Sequence, residues 1–140
     1  MISLNPYIHF LGNAREAMEF YADVFGGTLH IDNYNAAALP EATDDDLSLV
    51  MHAHLRTPHG LTLMGADVPS LMDFDAGSRV HISLSGNECD DKLLREFWER
   101  LTDGGRVTMP LDTAPWGSVF GALTDRFDVN WFVTIGDPTP

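Results

Sequence analysis

Basic residues are scarce in this sequence: 8 Lys and Arg stand against 21 Asp and Glu, a formal net charge of −13. Phosphate backbones are held by clustered cations that displace counterions, and no such cluster occurs, which argues against nucleic acid as a partner. An anionic membrane surface would repel the chain for the same reason. Cysteine is nearly absent. Cys89 stands alone, so no internal disulfide can form, which suits a reducing compartment. No apolar run approaches the ~20 residues of a membrane span. Met1 to Pro6 lacks the basic start and apolar stretch of a signal peptide. Glycine-rich phosphate loops and serine elbows are missing as well. The expectation is a cytoplasmic protein that engages neither membrane nor nucleic acid.

What is present suffices for one domain with its own core: 140 residues, of which 44% are hydrophobic. Tyr7 to Leu11 reads as a strand, stopped by Gly12-Asn13. Ala14, Ala17, Met18, Tyr21, Ala22 and Phe25 then recur at the spacing of one buried helix face. Asn13 followed by Glu16 predicts a capping box at the start of that helix, and Gly26-Gly27 its end. Thr28 to Tyr34 is a second strand. Asn35 to Asp46, with the run Asp44-Asp45-Asp46, is predicted as a solvated acidic loop that lacks the spacing of a calcium site. Leu47 to Arg56 alternates with period two, Thr57 to Gly60 is a hairpin loop, and Leu61 to Gly65 returns.

The order then begins again. Arg79 to Ser85 reads as a strand and Gly86-Asn87 follows. Leu93, Leu94, Phe97, Trp98 and Leu101 mark a helix that ends at Gly104-Gly105. Arg106 to Met109, Trp116 to Leu123 and Val129 to Ile135 complete the second set. Gly12-Asn13 answers Gly86-Asn87, Phe20-Tyr21 answers Phe97-Trp98, and Gly26-Gly27 answers Gly104-Gly105. Each half is strand, helix and three strands, which predicts an internal duplication. The expected architecture is α+β, a single domain 1–140 of two tandem βαβββ modules forming a curled mixed sheet around a cleft. Module one is 1–66, the linker 67–77 and module two 78–140.

Strand phase selects candidate residues. Leu49, Met51, Ala53 and Leu55 should meet a helix, so Val50, His52, His54 and Arg56 should face the cleft. Val80, Ile82 and Leu84 likewise should meet the second helix, leaving His81, Ser83 and Ser85 on the cleft side. His9 is phased toward the helix. Imidazole is the commonest protein ligand for zinc-like metals, and His52, His54 and His81 form a candidate metal set. The competing reading makes His52 and His81 polar anchors, with Arg56, Ser83 and an apolar Trp116 completing a site for a small organic molecule. Trp131 is expected in the core. Asp125 is expected to cap the last turn.

The repeated plan resembles the vicinal oxygen chelate superfamily of glyoxalase I, bleomycin-resistance proteins and extradiol dioxygenases, and more narrowly its PhnB-like branch. The resemblance is carried by Pro6 to Ala17 with Phe20-Tyr21 and Phe25-Gly26-Gly27, by Met51-His52-Ala53, and by Met109-Pro110-Leu111, Trp116-Gly117, Phe120-Gly121, Thr124 to Phe127 and Trp131. It implies the paired-module fold and a homodimer. It also implies metal ligands on the first and last strand of each module. Those positions fall on Pro6, on the stretch Leu61 to Met64, on His81 and near Val133, so only one carries a ligating side chain. The resemblance therefore implies a small-molecule binder without the standard four-ligand site and with no certain cofactor. A lyase, isomerase or dioxygenase using a divalent metal on the histidine set is the alternative. Nothing here resembles an S-adenosylmethionine loop, which argues against a methyltransferase.

Overall fold

Apolar side chains at helical spacing dictate two helices, and each finds a sheet to cover. The computed structural model describes residues 5–34, 44–69, 80–115 and 117–136. Its elements run β1 (Tyr7–Phe10), α1 (Ala14–Phe25), β2 (Thr28–Asn33), α2 (Asp44–Leu47), β3 (Val50–Arg56) and β4 (Thr62–Asp67). They continue with β5 (Ile82–Gly86), α3 (Asp91–Thr102), β6 (Arg106–Thr113), β7 (Val119–Thr124) and β8 (Asn130–Ile135). The chain divides into two compact units, Met1–Asp75 and Ala76–Pro140. Both contain a four-stranded mixed sheet, ordered β1-β4-β3-β2 in the first and β5-β8-β7-β6 in the second. In each, the first and last strands of the unit pair in parallel at one side while the other pairs are antiparallel. The strand, helix and three-strand repeat expected from the sequence is thus the α+β fold observed.

Unit one packs α1 over its sheet. Ala14, Ala17, Met18, Tyr21, Val24 and Phe25 are buried on the helix, and Ala53, Leu55 and Leu63 are buried on the strands. A fully buried side chain of this size contributes about 1.5–3 kcal/mol, so this interface is the main support of the unit. Unit two repeats the arrangement with Leu94, Phe97 and Leu101 of α3 and with Leu84, Leu123, Trp131 and Val133 of the sheet.

The repeated glycine pair has a physical reason. The first member, Gly26 or Gly104, takes a positive φ of 74° or 79° beyond the helix. The second presses on the backbone of its own sheet. A Cβ at Gly27 would overlap the Arg56 carbonyl and Thr57, and one at Gly105 would overlap the Thr124 carbonyl and Asp125. Only glycine leaves room for the helix end to approach the strand so closely.

Several sequence expectations are corrected. Asn13 makes no side-chain cap bond. Instead, the buried Asp67 carboxylate accepts the Gly12 and Ala14 N–H groups through Oδ1 and the Val50 N–H through Oδ2, all at 2.9 Å. The partner lies 53 residues from Ala14, beyond any local pattern. In unit two the matching Asn87 does cap: its side chain accepts the Cys89 N–H at 2.9 Å, and Asp90 accepts the Asn87 N–H at 3.2 Å. Asp44 to Leu47 forms a short helix, not a loop, and β3 begins at Val50, not at Leu47. β6 extends through Pro110 to Thr113, well past Met109; as an edge strand it can hold proline without breaking a ladder.

Candidate functional site

One face of each sheet is covered by its helix, so the other face carries the side chains left for chemistry. In unit one that face is set by alternation on β3: Ala53 and Leu55 turn to α1, hence His52, His54 and Arg56 point away from it. Strand register supplies their neighbours. His30 lies opposite His54 and Asp32 opposite His52 on β2. On the other side Met64 lies opposite His54, and Tyr7 of β1 lies beside Met64.

Tyr7 and His52 are joined. The phenol oxygen is 3.2 Å from His52 Nδ1, and the rings are 5.8 Å apart. With the hydroxyl donating, the imidazole proton is held on Nε2, which becomes a donor. The rings of His52 and His54 are 6.2 Å apart. His54 is half-buried, and its Nε2 is closed to solvent and has no hydrogen-bond partner among the described residues. Burial first, and then the charges of Arg56, His52 and His30, push the His54 imidazole below its ordinary value of 6.5. Burial likewise raises the Tyr7 phenol. It is also the first cause at Tyr34, aided by Tyr7 and Asp67.

His9 is corrected. Its ring stands 5.2 Å from that of Tyr7, on the face away from α1, because Phe10 is the β1 residue buried at the core. Val50, expected beside His52, is only 1% exposed and donates its N–H to Asp67, where the β2–β3 register is irregular. Tyr7, His30 and Met64 were not singled out as site residues by alternation on β3; the parallel pairing of β1 with β4 and the pairing of β2 with β3 bring them there.

In unit two, Leu84 turns inward, and Ser83 is exposed on the opposite phase of β5. His81, just before β5, stacks on Phe132 with ring centroids 4.2 Å apart and planes 15° from parallel. Phe120 continues this strip at 5.2 Å from Phe132. Trp116 lies outside the described residues. Trp131 is 1% exposed, and its Nε1–H donates to Asp125 at 2.9 Å. Asp125 also accepts the Phe127 and Val129 N–H groups, which makes it the organising residue of the last turn.

The donor set was tested for the metal that the fold family implies. Among the described residues, no group of three or more His, Cys, Asp or Glu side chains is arranged to hold an ion. The His52 Nδ1 is also engaged by Tyr7. Among the described residues, no helix is long and apolar enough to cross a membrane.

Comparison with known proteins gives a consistent result. The model of the Glyoxalase/Bleomycin resistance protein/Dioxygenase superfamily matches residues 3–133. Protein PA1353 from Pseudomonas aeruginosa is similar in structure with a TM-score of 0.80 and 32% identity, over 96% of this chain and 98% of that one. The PhnB protein from Bacillus cereus is similar with a TM-score of 0.74 and 23% identity, over 96% and 99% of the two chains. Protein YjdN from Escherichia coli (strain K12) is 22% identical over 98% of this chain and 97% of its own length.

Proposed function

The chain belongs to the Glyoxalase/Bleomycin resistance protein/Dioxygenase superfamily, and on that premise we propose that it binds a small organic molecule on the helix-free faces of its sheets. The observation that supports this reading is the pair His52 and His54, set among Tyr7, Met64 and His30 on the one face of sheet one that α1 leaves uncovered. A face built only for packing would not gather hydrogen-bonding rings there; a ligand site needs a few placed polar groups among apolar ones. The proposed ligand-facing residues are His52 and Arg56 in unit one and His81 and Ser83 in unit two; Trp116, the remaining candidate from the sequence, lies outside the described residues. The stacked His81 and Phe132 offer a flat aromatic surface to a ligand. Sequestration of a drug or metabolite, as in bleomycin-resistance proteins, is the mode of action proposed.

A cytoplasmic homodimer is part of the same proposal. Its support is β6, an edge strand that leaves Val107 and Met109 48% and 49% exposed. The second reading is a lyase, isomerase or dioxygenase with a divalent metal on His52, His54 and His81. Against it, no three such side chains are arranged to hold an ion among the described residues, and elemental analysis of protein purified without chelator discriminates it.

A thermal-shift screen of small organic molecules against the full chain tests the binding reading. A hit should stabilise in a saturable manner, by about 2.7 kcal/mol at a hundredfold excess over Kd. His52→Ala and Ser83→Ala should reduce that shift while His59→Ala, in the β3–β4 hairpin, should not. Hits indifferent to all the proposed residues, or no hits, would overturn it.

A further inference from the structure

We propose that the helix-free face of sheet one takes an oxyanion group of the ligand, a carboxylate or a phosphate-type group, through His52, His54 and Arg56. This deepens the binding reading above and rests on it. The chain as a whole is acidic, with a net charge of −13, which by itself would suit a cationic ligand. This face, by contrast, holds more groups able to become cationic than acids.

The count by strand carries the argument. β3 contributes His52, His54 and Arg56. β2 contributes His30, directly opposite His54, and Asp32. β1 contributes Tyr7 and His9, whose rings lie 5.2 Å apart. β4 contributes no charge on this phase, only Thr62, Met64 and Ala66. Asp32 is thus the lone acid of these strands on this phase, and it is already paired with His30 Nε2 at 3.3 Å. With His30 set against Asp32, four further groups able to carry positive charge, His9, His52, His54 and Arg56, share this face.

Hydrogen-bond bookkeeping points the same way. Where the Tyr7 hydroxyl donates to His52 Nδ1, 3.2 Å away, Nε2–H is left as a donor. Among the described residues His54 Nε2 has no partner, and the atom is closed to solvent. A buried polar atom left so is costly, and a turn of the His54 ring toward the face would let a ligand oxygen satisfy it. Arg56, two residues along the strand, adds a donor fork suited to a carboxylate or phosphate. Burial, and after it the positive neighbours Arg56, His52 and His30, hold the His54 imidazole low, and the second cause defines what binding would do. An oxyanion offsets their repulsion, so His54 takes up a proton as the anion binds, and affinity rises as pH falls through the histidine range.

Imidazole-detected NMR of the full-length protein tests this, with sodium phosphate, sodium acetate and tetramethylammonium chloride titrated at matched ionic strength. The His52 and His54 signals should move saturably with phosphate, acetate or both, and that pattern tells a phosphate-type from a carboxylate preference. His59 should stay still, and the midpoint of the His54 titration should rise with anion present. Arg56→Gln, at an exposed position, should weaken anion binding by about tenfold, the cost of one hydrogen bond to a charged group. His54→Gln should do the same. No saturable response, an equal response at His59, a response to tetramethylammonium alone, or unchanged affinity in both variants would overturn the inference. Screen hits that depend on His52 but carry no anionic group would overturn it while leaving the binding reading intact.

Discussion

The two units answer one backbone plan with different side chains. In unit one the start of α1 is tied to the sheet by a single distant carboxylate: Asp67 accepts N–H groups from Gly12, Ala14 and Val50. In unit two the same point is held locally, by Asn87 just before a short 3-10 turn and Asp90, the last residue of that turn. The uncovered faces differ just as much. Unit one presents Tyr7, His52 and His54, whereas unit two presents an aromatic strip of His81, Phe132 and Phe120. Duplication therefore preserves strand order and glycine placement, because steric limits enforce them. It does not preserve caps or site chemistry, which many side chains can supply.

The largest test of this contrast is Asp67→Ala. It strands two buried N–H donors and a third partly buried one, so the account expects a loss of about 3 kcal/mol or more. Urea unfolding of the full chain measures it; a loss below about 1 kcal/mol would mean water replaces the carboxylate readily. Gly27→Ala should come next, at about 2 kcal/mol or more. It should exceed Gly105→Ala, because Gly27 combines the backbone overlap with a φ of 106°. Equal losses would show that the overlap alone matters.

Much of the fold, but less of the site, was legible in the residues. Alternation from Met51 to Arg56 put His52 and His54 on the correct face, because a strand with one greasy side has only one way to sit. The four residues of β1 gave no such guide: Tyr7, Ile8, His9 and Phe10 are all bulky, and only the burial of Phe10 fixes the phase. The Asp67 cap was illegible for another reason. Its partners at the start of α1 lie 53 and 55 residues away, and nothing local distinguishes it from any other aspartate at a strand end. Asn13 and Asn87 look alike in sequence, yet only one caps, since a carboxylate from β4 already occupies the place in unit one.

That pair gives a sharper comparison of smaller size. Asn87→Ala should cost about 1 kcal/mol, the usual worth of a helix cap. Asn13→Ala should stay within about 0.5 kcal/mol, as for a surface change away from such features. Denaturant midpoints of the two variants measure the difference, and equal losses would erase it. The smallest effect is expected at His54. Its imidazole is held below 6.5 by burial and then by positive neighbours. A group depressed in the folded state adds stability above its unfolded pKa and loses it as pH falls through the folded one. The melting temperature should therefore drop as pH is lowered below about 6.5, and His54→Gln should flatten that part of the profile. An unchanged profile would show that His54 is not depressed.

The central claim is that the uncovered face of sheet one is where the ligand binds, and methionine methyl NMR addresses it most directly. Met64 sits on that face between His54 and Tyr7, while Met18 is fully buried on α1. On the outside of unit two, a groove of about 280 Å³ between α3 and β6, lined by Trp98, Val107 and Leu111, offers a rival place. Hits from the small-molecule screen, titrated into methyl-labelled full-length protein, should shift the Met64 signal saturably and leave Met18 and the Trp98 indole unmoved. Saturable shifts at the Trp98 indole with Met64 silent would contradict the account.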